Sequence, residues 1–139
     1  MTLKSALEDL TQNTLKAISG TLGKLDYVSR LRNGSGLYRH WGLARLHGED
    51  QAQQALAKTH RALLSRVLRT PLPRLAEDVE ISSRAASMEP AKYLEGLRKR
   101  SSELLPADPG AGSERHLSSV LAALSGLIKT RRRATPPTS

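Results

Sequence analysis

Lys58, Arg61, Arg66 and Arg69 are the residues whose type and spacing point most directly to a chemistry. At about 100° per residue they fall within roughly 140° of arc on one helical segment, opposite Leu56, Leu63 and Val67. Such a ridge can follow a phosphate backbone, where each neutralised phosphate releases counterions and makes affinity salt-dependent. The solvated face of an ordinary amphipathic helix has the same pattern. Residues 38–70 carry six Lys or Arg against only two Asp or Glu, which keeps the phosphate-binding interpretation open. A second basic run, Lys129, Arg131, Arg132 and Arg133, follows the last apolar stripe. It could serve as a nucleic-acid arm, as an anchor on an anionic surface, or simply as charge that favours the end of a helix dipole.

Other constellations carry less. Residues 38–69 can be drawn as a helix-turn-helix, but Glu49 and Asp50 would then face phosphates at the recognition helix's N-terminus, ahead of every cation. Tyr38, Trp41 and Arg45 share a face that could stack an unpaired base, yet a lone Trp in a Phe-free chain is more often a core anchor. His40 and His47 have no third ligand at metal spacing, so no metal site is expected. His60 lies inside the apolar sector of its segment and reads as a hydrogen-bonded, semi-buried group, and His116 sits at a helix start. No phosphate-cradling loop, nucleophile elbow, zinc-protease or dinucleotide motif is present, and Glu77, Asp78 and Glu80 are assigned to an exposed helix side. The expectation is a chain with no catalytic residues and no cofactor, not an enzyme.

The elements that must position these residues follow from composition. The chain has 139 residues, the size of one domain with one core, and 22 Lys+Arg against 13 Asp+Glu give a net charge of +9. Arginine outnumbers lysine by 15 to 7, so part of the basicity can reflect genome composition. Cysteine is absent, which fits a reducing compartment and makes the cytoplasm the default location. Glu8 and Asp9 interrupt any signal-peptide core. The longest uncharged apolar stretch, Leu117–Ile128, is well short of the ~20 residues a transmembrane helix needs. With Phe absent, the core must be built of Leu, Ala, Val and Ile, a mixture better suited to helices than to a sheet.

Apolar residues from Leu3 to Val28 recur at helical steps and predict one long helix over residues 3–32, with Gly20 and Gly23 as places to bend or break. A short helix over 37–47 is apolar on two sides. The 49–69 segment has the cleanest stripe, and Thr70-Pro71-Leu72-Pro73 reads as a stop and a new start with Thr70 as N-cap. Helices to about Ala86 and from Ser87 or Glu89 to Leu105 form an electrically neutral hairpin. Residues 106–112 form a linker, and Ser113 caps a helix over 113–130. In that last helix Leu117, Val120, Leu121, Leu124, Leu127 and Ile128 form a dense stripe, suited either to the core or to docking onto a partner or a second copy.

The expectation is therefore an all-α protein, an irregular bundle of five or six helices with a long N-terminal helix. A single helical domain spans 1–128 and a disordered basic tail 129–139. The functional expectation is a small basic accessory subunit contacting nucleic acid or a nucleoprotein complex through the helix ridge and the tail. The alternative is a protein–protein adaptor docking through its C-terminal Leu-rich helix onto an acidic or helical partner.

Overall fold

The computed structural model describes residues 3–33, 50–106 and 108–134, with side chains for 9–32, 54–106 and 108–131. Among the described residues every regular element is a helix: α1 Leu3–Ala17, α2 Thr21–Asn33, α3 Asp50–Arg69, α4 Leu72–Ala85, α5 Pro90–Lys99, α6 Ser101–Leu104 and α7 Ser113–Ala134. No helix among them is long and apolar enough to cross a membrane. The predicted 37–47 helix, and with it Tyr38, His40, Trp41, Arg45, His47 and the first half of the helix-turn-helix drawing, lies outside the described residues.

The single long N-terminal helix is two helices. The Ile18 N–H bonds both the Thr14 and the Leu15 carbonyls, and Gly20 then takes φ +91°, a left-handed turn that glycine enters without a Cβ penalty. A second break separates α5 from α6 at Arg100, which closes one helix and opens the next. The expected cap at Thr70 is absent, because its hydroxyl donates back to the Arg66 carbonyl at 2.6 Å and Pro71 opens α4 instead. Ser87 caps nothing that follows it. At φ 56° it ends α4, with the Met88 N–H returned to Ser83 and its own N–H to Arg84, the paired bonds of a Schellman turn. Glu89 takes the N-cap position of α5 without a side-chain bond. The Ser113 hydroxyl donates to the Pro109 carbonyl at 2.6 Å, bracing the linker.

The core is aliphatic, as the composition demands. α2 packs against α3, α4 and α6, while α7 closes the other side against α3, α4, α5 and α6. Leu22, Leu25 and Val28 meet Leu64, Val67, Leu75 and Val79 in one cluster that also takes in Leu94, Leu97 and Leu104. Leu117, Leu121, Leu124 and Ile128 are buried in the same cluster, with Val120 and Leu127 packed partly against it. Within the monomer the stripe serves the core, one of the two uses the sequence allowed, with α5 and α4 packed over it and Val120 and Leu127 only partly covered.

α7 continues to Ala134, so Lys129, Arg131, Arg132 and Arg133 stand on its last turns instead of starting a disordered arm, whose remaining residues 135–139 lie outside the described part. Lys and Arg are good helix formers and suit the negative end of the dipole. The Thr130 hydroxyl bonds back to the Gly126 carbonyl at 2.9 Å, and Arg131 reaches Glu80 of α4 at 3.6 Å.

Candidate functional site

All four ridge cations, Lys58, Arg61, Arg66 and Arg69, are exposed on α3, and none is ion-paired to a described residue. The fold does not leave them as one isolated ridge. Lys58 and Arg66 open onto a groove of about 390 Å³ between α1, α2 and α3, where Lys16 and Lys24 join them over an apolar floor that includes Leu15 and Leu63. Arg66 and Arg69 open onto an adjoining groove of about 690 Å³ between α2, α3 and α4, lined also by Lys24 and Arg74. Arg61 turns the other way, with Arg69, toward the start of α7, where a groove of about 320 Å³ is lined by Ser65, Ser113 and His116.

Lys16, Lys24 and Arg74 are the cations missed in the sequence, because they are brought to the ridge only when α1, α2 and α4 lie beside α3. Positive charge gathered in a groove with low-dielectric walls focuses the field on an approaching anion more strongly than charge on a convex face. The C-terminal cations form a separate patch. Arg131 pairs with Glu80, which projects from α4 roughly 110° around its axis from the groove-lining Arg74, Glu77, Asp78 and Ile81. Lys129 is exposed, and the side chains of Arg132 and Arg133 lie outside the described part.

Asp78 corrects the assignment of the α4 carboxylates to an exposed side. It is 7% exposed, because α4 has a second buried face toward α2, and its Oδ2 accepts the Leu22 N–H at 3.5 Å. Burial pushes its carboxyl above the usual range, while the Leu22 and Thr21 N–H groups and the Arg74 charge pull the other way. Glu77 is exposed and Glu80 half-buried. Asp26 is likewise buried, and accepts bonds from Arg30, Tyr93 and Arg100.

His60 is more deeply buried than its position in the stripe implied, at 1% exposure. Its Nε2–H donates to the Leu104 carbonyl at 2.7 Å, which leaves Nδ1 to accept from the Arg32 guanidinium at 3.2 Å. Burial lowers its pKa below 6.5, partly offset by the Leu104 bond and reinforced by the Arg32 charge. The neutral ring is thus a clamp between α2, α3 and the end of α6. The unfolded chain binds a proton at His60 more readily than the native one, so this contribution is complete above pH 6.5 and is lost as pH falls below it. Urea denaturation at pH 7.5, 6.5 and 5.5 should show stability falling as pH drops below 6.5, by no more than about 1.4 kcal/mol per pH unit from this group, with that component missing in His60→Gln.

Among the described residues no group of three or more His, Asp or Glu could hold a metal ion. No family model, curated protein or solved structure is significantly similar to the chain.

Proposed function

We propose that this protein is a non-enzymatic accessory factor that contacts nucleic acid, or a nucleoprotein complex, through the basic surface of α3, with mostly electrostatic and sequence-tolerant affinity. One observation carries the proposal: Lys58, Arg66 and Arg69 of α3 lie with Lys16, Lys24 and Arg74 around two adjoining grooves, and none of them is ion-paired to a described acid. Unpaired Arg and Lys side chains converging from separate helices are what a polyanion needs, since each phosphate they neutralise releases counterions. Lys129 and the arginines that follow it supply a second, separate point of attachment. The cysteine-free composition suits a cytoplasmic setting.

The test is fluorescence anisotropy with labelled duplex DNA, single-stranded DNA and RNA at roughly 50 and 200 mM salt, a range over which phosphate-mediated affinity falls steeply. Wild-type protein should bind with a strong salt dependence. Changing Lys58, Arg61 and Arg66 to Glu should weaken binding at low salt by about 100-fold and flatten the log–log salt slope by about 0.9 for each phosphate that is no longer neutralised. Helicity should be unchanged, because all three side chains are exposed. Absence of binding at 50 mM salt, or wild-type affinity in the triple variant, would remove the proposal.

A further inference from the structure

Four cations from three helices meet at the α2–α3–α4 groove: Lys24, Arg66, Arg69 and Arg74. Lys24, Arg66 and Arg74 make no ion pair with a described residue, and Arg69 holds only the Ser65 carbonyl of its own helix, through Nε. Among the described residues no aromatic side chain lines the groove. Its cationic lining is suited to phosphate. Lys24 and Arg66 also line the α1–α2–α3 groove with Lys16 and Lys58, so the two grooves make one continuous track across α2 and α3.

We infer that this track is a binding site for a linear phosphodiester chain, with its principal anchor at Lys24, Arg66, Arg69 and Arg74 and its continuation toward Lys58 and Lys16. The inference rests on the nucleic-acid reading above and goes further by placing the phosphates in the groove instead of along the convex ridge that includes Arg61. Geometry favours the groove. Its cations stand on helices whose backbones the core holds in place, so only their side chains have to be ordered, and the helix walls keep the ligand's charge in a lower dielectric than open surface does. Asp78 and Glu77 oppose them. Both line the same groove, Glu77 exposed and Asp78 beside the start of α2, so an anion seated there meets two carboxyls.

The experiment uses the full chain, a labelled 20-base-pair DNA duplex, the same-length single strand, and inorganic tripolyphosphate as competitor. Paired Lys24→Glu and Arg74→Glu substitutions should weaken oligonucleotide binding by about 30-fold, and paired Lys58→Glu and Arg61→Glu by less than about tenfold, because Arg61 lies off the track. Asp78→Asn keeps an acceptor for Leu22 while removing one of the two opposing carboxylates, and should tighten binding about threefold, a gain that partial unfolding cannot produce. Tripolyphosphate should displace the oligonucleotide. Circular-dichroism melts distinguish loss of fold from loss of the site.

Wild-type affinity in the Lys24/Arg74 variant, with salt-sensitive binding by the wild type, would overturn the groove and leave the nucleic-acid function standing. Tripolyphosphate binding that depends on Lys24 and Arg74, without oligonucleotide binding, would do the reverse: the groove would stand as a phosphate site and the nucleic-acid function would fall. Binding of neither ligand overturns both.

Discussion

Asp26→Ala is expected to lower the unfolding free energy by about 3 kcal/mol, near the low end for breaking a buried ion pair. Asp26 is 8% exposed on α2 and accepts from Arg100 at 2.8 Å, from Arg30 at 3.3 Å and from the Tyr93 hydroxyl at 3.3 Å. It ties α2 to α5 and to the joint between α5 and α6. The three donors differ in what they lose. Arg30 is 41% exposed and can turn to water, whereas Arg100 is 27% exposed and keeps only a 3.9 Å approach to Glu103. The stranded Arg100 guanidinium therefore sets the penalty. Tyr93 reports the same environment: its pKa is pushed up to about 12, first by burial and then by the Asp26 charge. Urea denaturation at pH 7 measures the loss. Asp26→Asn, which keeps an acceptor without the charge, should lose about half as much. A loss below about 1 kcal/mol in the alanine variant would reduce the cluster to an ordinary surface pair.

Much of the fold was legible because its helices advertise themselves locally. Leu56, Leu63 and Val67 mark α3, Leu75 and Val79 mark α4, and Leu117, Leu121, Leu124 and Ile128 mark α7, each at a spacing that one helix face requires. Gly20 marked the N-terminal break, because a glycine within an amphipathic run signals a place where the chain can turn. What stayed hidden depends on neighbours. The break between α5 and α6 falls at Arg100, whose side chain meets Asp26 on α2, a contact that no local pattern announces. The burial of Asp78 was hidden because a wheel drawn through Leu75 and Val79 shows one buried face. Packing buries Asp78 beyond the edge of that stripe, on the side away from the buried Ala76 and Ser83, where the start of α2 lies against it.

The candidate site divides along the same line. Lys58, Arg61, Arg66 and Arg69 could be found because they share one helix, whose own periodicity collects them. Lys24 and Arg74 could not, since each is a lone cation in its local sequence and becomes part of a groove only when α2 and α4 flank α3. Arg61 shows the converse: near the other three on the wheel, it opens toward the start of α7 in the folded protein. The C-terminal run was visible as charge, but the contact of Arg131 with Glu80, a residue about fifty positions away in sequence, was not.

Gly20→Val should be at least as damaging as Asp26→Ala, with a loss of about 3 kcal/mol or more, from two causes that can be measured apart. The first is backbone: φ +91° is unfavourable for any L-residue by roughly 1–2 kcal/mol and worse for a β-branched one. The second is space, because a Cβ built on Gly20 would collide with the Asp78 carboxyl. Moving that carboxyl away breaks its bond to the Leu22 N–H and leaves the start of α2 without its cap from α4. A thermodynamic cycle separates the two. In an Asp78→Ala background the carboxyl is gone and only the Cβ, at 3.0 Å, remains close, so Gly20→Ala should lose about 1 kcal/mol less there than in wild type. Equal losses in both backgrounds would assign the whole effect to the backbone turn. A large coupling would show that the break between α1 and α2 and the buried face of α4 are one structural unit. Gly20, Thr21 and Asp78 all line the groove that holds Lys24 and Arg74, so that unit also sets the shape of the proposed phosphate site.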